Sequence, residues 1–237
     1  MKKKATKRVL LTLVLCAAII FVLKFGLPQL LRAYIATGIG DCAKIPILCM
    51  SPQDTTETFI VDKIYLQELI PHKFPKTEIS VPKGFRVVQE LVAKPYYKKK
   101  KSRSVEPVIY ILHQPPGFFI NLFPQVKNSG IKDNYEFMRS LMCANESKIN
   151  SINDAFFVIL KSIFTPDLGD QKTAKMIQFK SNERNYFLNY NLTGPAYFFD
   201  CTILTKEGDF FKVYIKDRFK TLDLNKVYSI ISTISPA

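Results

Sequence analysis

The chain has no tryptophan, only two histidines and only nine glycines among its 237 residues. Those shortages thin out most familiar catalytic and metal-binding constellations. Gly38-Ile39-Gly40 lacks the remainder of any phosphate-cradling glycine fingerprint, and no G-x-S-x-G elbow, H-E-x-x-H helix or EF-hand loop occurs. His72 stands in the proline-flanked segment LIPHKFP, and His113 ends an apolar run beside Gln114. Neither has the spacing of a zinc ligand set or a catalytic pair. Acidic residues are scattered singly, so no acid–base pair is marked. No catalytic residue, no metal and no cofactor is expected, while a Cys–His or Ser–His pair assembled only by folding stays open.

What the chain does have is positive charge, 34 Lys and Arg against 20 Asp and Glu for a formal +14. The excess is local. Residues 1–38 hold seven basic groups and no acid, the stretch 94–103 holds six more and no acid, and the remainder carries 21 basic against 20 acidic groups. A nucleic-acid-binding fold spreads its cations over a face that tracks phosphates. Nucleic acid is therefore not an expected partner.

The first basic feature reads as a topology signal. Met1 to Arg8 is a basic flank, and Val9 to Leu23 is an uncharged run of 15 residues, VLLTLVLCAAIIFVL. Lys24 interrupts it before KFGLPQLLRAYIA continues. Fifteen apolar residues are short of the ~20 that cross a bilayer unaided, but snorkelling of Lys24 extends the span. The small pair Ala36 and Gly38 lies far past the run for a cleavage site. The expectation is an uncleaved single-pass anchor with the N-terminus cytoplasmic and the domain outside, the bilayer contacting residues 9–35. Secretion after signal cleavage is the alternative.

Four cysteines lie outside the apolar run, Cys42, Cys49, Cys143 and Cys201, which permit three connectivities. The simplest closes CAKIPILC through Cys42–Cys49 and joins Cys143 to Cys201; two separately buried thiols are the alternative for the second pair. Two N-x-S/T triplets, at Asn145 and Asn191, occur at about the frequency of chance.

Three segments follow from composition: 1–38 as basic flank and anchor or signal, 39–58 as a cysteine-containing tether, and 59–237 as a folded domain. FIVDKIYL (59–66) opens regular structure. TEISVPKGFRVVQEL (77–91) reads as strand, turn, strand, and VEPVIYILH and GFFINLF as a hairpin around Gln114-Pro115-Pro116-Gly117. Asp133 or Asn134 caps a helix through NYEFMRSLMCA. INDAFFVILKSIF carries Ile152, Phe156, Ile159, Leu160 and Ile163 on one helical stripe. Strands AKMIQFK and NYFLNYN flank Ser181-Asn182-Glu183-Arg184, and AYFFDCTILT and DFFKVYIK flank Lys206-Glu207-Gly208. LDLNKVYSIISTI closes the chain as an amphipathic helix on Leu224, Val227, Tyr228, Ile231 and Ile234. Meander, helices, meander and closing helix predict an α+β fold, an antiparallel sheet of two meanders with covering helices, preceded by the anchor helix.

Over about residues 59–235 this order resembles the PsbP-like superfamily of exported or extrinsic α/β/α sandwich domains. Val81-Pro82-Lys83-Gly84-Phe85 opens the meander, and DFFKVYIK leads into the final helix. The resemblance implies a binding or accessory domain rather than an enzyme, and it carries over no functional residue.

The sharpest outward-facing feature is the second basic stretch: Lys94, Tyr96, Tyr97, Lys98, Lys99, Lys100, Lys101 and Arg103. Adjacent like charges favour a solvated loop. Its cations suit an anionic lipid or envelope polymer, with the two tyrosines at headgroup level; a plain solubilising loop is the alternative. The functional expectation is a membrane-tethered extracytoplasmic domain that binds an envelope protein or other component. The alternative is a hydrolase-like envelope enzyme whose site forms only in the fold.

Overall fold

The computed structural model describes residues 24, 26–55, 59–90, 107–165 and 168–237. The apolar run 9–23 and the basic stretch 94–103 lie outside the described residues. Among the described residues no helix is long and apolar enough to cross a membrane.

The first described helix, α1 (Leu27–Gly38), carries Pro28 in its first turn, where a missing N–H costs nothing. It is docked on the domain. Ile35 is buried in a small cluster with Leu48, Ile149, Ala155 and Val158, and the Arg32 guanidinium donates to the Ile149 carbonyl at 3.1 and 3.3 Å. The segment read as a tether is packed too, since Ile47 and Leu48 on the short turn Pro46–Cys49 are fully buried. Strand β1 (Gln53–Asp54) then joins an edge of the main sheet.

That sheet has seven strands in the order β1-β6-β7-β8-β9-β5-β4. Its centre is antiparallel, built from β6 (Lys175–Ser181), β7 (Arg184–Asn191), β8 (Tyr197–Leu204), β9 (Phe210–Asp217) and β5 (Val108–Gln114). Its two edges are parallel pairs, β1 with β6 and β4 (Arg86–Glu90) with β5. The sheet is therefore mixed, a correction to the all-antiparallel expectation. The second meander forms as expected. Its first turn places Asn182 and Glu183 at φ 48° and 60°, the double positive-φ turn that matches strand twist.

The first meander does not form. Strand β3 (Thr77–Pro82) pairs with β2 (Leu69–Phe74) in a separate two-stranded sheet, while β4 leaves to pair with β5. The alternation in β3 explains the choice: Ile79 and Val81 point into the core with the closing helix, α6 (Leu224–Ser232), so the hairpin covers the large sheet instead of extending it. Regular structure does resume within residues 59–66, and it is helical. Asp62 caps α2 (Lys63–Glu68), accepting from Ile64 N and Tyr65 N at 3.0 Å.

The GFFINLF segment is also not a strand. It forms α3 (Phe118–Leu122), because Phe119 fills the core by stacking on Phe137 at 4.7 Å and edge-on to Phe210 at 4.9 Å. Aromatic packing has overridden β-propensity here. Helix α4 (Asn134–Cys143) is capped by Asp133, which accepts from Glu136 N at 2.8 Å. Asn134 has a different task. Fully buried, it donates to the carbonyls of Pro115 and Gly208 and accepts from Phe119 N, tying three loops together.

Helix α5 (Ile152–Phe164) forms over the expected span with Ser151 as its cap. Its inward face is rotated from the expected stripe: Ala155, Phe157, Val158, Leu160 and Lys161 are buried, whereas Ile152 and Ile163 are 67% and 45% exposed. The closing helix buries Val227, Tyr228, Ile230 and Ile231, and Ile234 follows them into the core. Helices α3, α4 and α5 thus cover one face of the sheet, and α6, α2 and the β2–β3 hairpin the other, giving three layers and two cores.

Candidate functional site

The densest gathering of reactive groups lies where the chain enters the domain. Cys42 and Cys49 are bridged, closing the expected small loop with their Cα atoms 5.6 Å apart. One Glu146 carboxylate oxygen lies 3.0 Å from Cys42 Sγ. Asn145 donates from Nδ2 to the Cys49 carbonyl at 2.9 Å. The two sulfurs and the Glu146 carboxylate lie within 4.8 Å of one another. Bridged sulfurs lack the thiolate that a metal takes, so in this form the corner is a crosslink and not a ligand set.

Lys161 closes the corner from beneath. Its Nζ donates to the carbonyls of Met50 at 2.5 Å, Met142 at 2.7 Å and Ala144 at 2.8 Å. Burial pushes its ammonium down to about 7, with the neighbouring Cys143 acting in the opposite direction. The group caps the end of α4 and fastens the entry segment to it. Beside it, Ser140, Cys143, Lys148, Asn153 and Asp154 line an open cleft of about 440 Å³.

A second polar group sits between the sheet and α5. Lys212 on β9 pairs with Asp200 on β8 at 3.2 Å and donates to the Phe164 carbonyl at 2.6 Å. Asn189 on β7 donates to Asp200 at 3.1 Å. Burial pushes the Asp200 carboxyl up, while Lys212 and Asn189 pull it down. All three side chains are buried, so the group binds layers together. Its signal in the sequence was a charged residue inside each of the apolar strands β8 and β9, with Asp200 after Phe199 and Lys212 between Phe210 and Tyr214.

His113 is paired with a carboxylate by the fold. Its Nε2 lies 2.7 Å from Asp209 Oδ1, and its ring stacks on Phe211 at 4.6 Å. Asp209 lines a shallow cleft of about 400 Å³ with Glu183, Arg184, Thr205 and Lys206. The other ring nitrogen, Nδ1, is buried without a hydrogen-bond partner. A dyad needs that nitrogen to reach a nucleophile or substrate when the first is held by a carboxylate. Here it faces packed protein, and the pair fastens the end of β5 to the β8–β9 turn. His72 lies elsewhere, half-buried on the β2–β3 hairpin.

Cys143 and Cys201 do not pair, a correction to the second expected bridge. Cys143 is an exposed thiol at the end of α4, whereas Cys201 is buried on the opposite face of the sheet, beneath α6. Strand alternation decides this, because Asp200 and Thr202 already face the α4 side. Asn191 is buried and donates to the carbonyls of Leu168 and Asp170, which leaves its amide unsuited to a glycan. The basic residues Lys94 to Arg103 fall in the connection between β4 and β5, outside the described residues. Comparison with known proteins finds neither a family model nor a curated relative that matches the chain.

Proposed function

We propose that the chain is a membrane-tethered extracytoplasmic domain that works by binding a protein or other component of the cell envelope. The observation that carries this reading is the Cys42–Cys49 bridge, formed at the entry to the domain a short distance after a basic flank and an apolar run. Bridges persist in oxidising compartments, and the basic flank of such a run stays on the cytoplasmic side. Two features support binding over catalysis. The buried charged groups are spent on internal ties, and the His113–Asp209 pair, which the hydrolase-like alternative would use, has its second nitrogen closed off. The resemblance in element order to the PsbP-like superfamily, which is largely not enzymatic, points the same way. The basic stretch 94–103, with Tyr96 and Tyr97, is assigned to anionic lipid or polymer under the same reading.

The test is protease access to intact cells and to inverted membrane vesicles, with non-reducing peptide mapping and crosslinked co-purification of the full chain. The expected result is a membrane-bound protein cleaved from the outside only, its 42 and 49 peptides linked, with a recurrent partner. Cleavage from the cytoplasmic side alone would sink the reading. A mature N-terminus near residue 39 would replace the anchor with secretion.

A further inference from the structure

We propose that α1 lies flat in the headgroup layer of the bilayer, and that its outer face fixes the orientation of the whole domain on the membrane. This rests on the tethered reading and adds a second lipid contact to it.

Helix α1 is apolar on two sides. The inner side carries Pro28 and Ile35 into the domain. The outer side presents Leu30 and Tyr34, 67% and 70% exposed, with Ala33 beside them. These three positions and Thr37 recur at the three- and four-residue spacing of one helical face. The Thr37 hydroxyl donates back to the Ala33 carbonyl at 2.8 Å, so that face presents little unpaired polarity. A docked helix in an aqueous setting keeps its outer face polar; one at a membrane interface keeps it apolar with an aromatic residue at headgroup level.

The occupant follows from where the preceding chain ends. The apolar run stops at Leu23, seven residues before Leu30, and exposed Lys24 marks the boundary. A helix rising along the membrane normal would carry Tyr34 about 16 Å beyond Leu23, past the roughly 5–8 Å headgroup layer. Pro28 removes the hydrogen bond to the Lys24 carbonyl, which permits a bend at this place. Lying flat, α1 brings Leu30 and Tyr34 to lipid together. Because Arg32 and Ile35 lock α1 to α5 and its preceding loop, the body of the domain turns with it.

The full chain in phosphatidylethanolamine–phosphatidylglycerol nanodiscs tests this with nitroxides at three places. One sits on Tyr34→Cys in a Cys16→Ser, Cys143→Ser background. The second sits on Cys16 with Cys143→Ser. The third, an aqueous reference, sits on Lys206→Cys in the first background. The label at 34 is expected to be relaxed by oxygen and shielded from a water-soluble nickel chelate, shifting towards Cys16 and away from 206. A label at 34 as open to the chelate as 206, with Cys16 shielded, overturns the proposal and leaves the tether standing. Spin–spin broadening at 34 would put a second copy on this face and also overturn it. Chelate access at Cys16 sinks the tether and the proposal together.

Discussion

The ammonium of Lys161 donates to the Met142 carbonyl at 2.7 Å from a fully buried position, joining the last turn of α5 to the last turn of α4. It also holds Met50 and Ala144. Lys161→Met should cost on the order of 2 kcal/mol, since three carbonyls lose their donor while the burial cost of the amine is relieved. The difference should depend on pH. Burial lowers the folded-state value to about 7 from 10.5, so between those values the unfolded chain holds the proton and the folded chain does not. Stability then rises with pH across that window and falls as pH drops through about 7. Denaturant midpoints at about pH 6 and pH 9 should show the wild-type rise and its loss in the variant; parallel profiles would refute the assignment.

The bridge spans a closed loop of eight residues, Cys42 to Cys49. Chain entropy for a loop of that size corresponds to about 2.5 kcal/mol. Cys42→Ser with Cys49→Ser should lower the unfolding free energy by about that amount. Reductant should lower wild type to the same level and leave the double variant unchanged. An equal response of both proteins to reductant would mean that the bridge is absent or that another pair is linked.

Alkylation separates Cys143 from Cys201, the two free cysteines among the described residues. Cys143 is exposed and should react with a maleimide in the native protein, whereas Cys201, buried with its thiol pushed well up by burial, should react only after unfolding. Peptide mapping that recovers a linked 143–201 peptide would reverse this.

The second meander and the closing helix were legible because each rests on local signals. Turn residues sit between alternating runs, and a 3.6-residue stripe places Val227, Tyr228 and Ile231 inward. Element pairing was not legible. Whether β3 meets β4 or β2 depends on α6 packing against Ile79 and Val81, more than 140 residues away in the chain. The α5 stripe failed for a related reason. Lys161 was not on the expected stripe, yet it turns inward and donates to three carbonyls there. The Cys42–Cys49 bridge could be read from its short spacing. Glu146 at its side could not, being brought from 104 residues away.

The Asp200–Lys212 pair predicts a strongly non-additive cycle. Lys212→Met leaves a buried carboxylate facing Asn189 alone and should cost about 3–5 kcal/mol. Asp200→Asn should strand the ammonium at a similar cost, although the Phe164 carbonyl still accepts from it. The double variant removes both charges and should recover a large part of the loss, because two desolvation costs vanish together. Urea midpoints of the four proteins measure the coupling. Additive losses would mean that the two groups do not interact as a pair, and that Lys212 serves only to hold the end of α5 on the sheet.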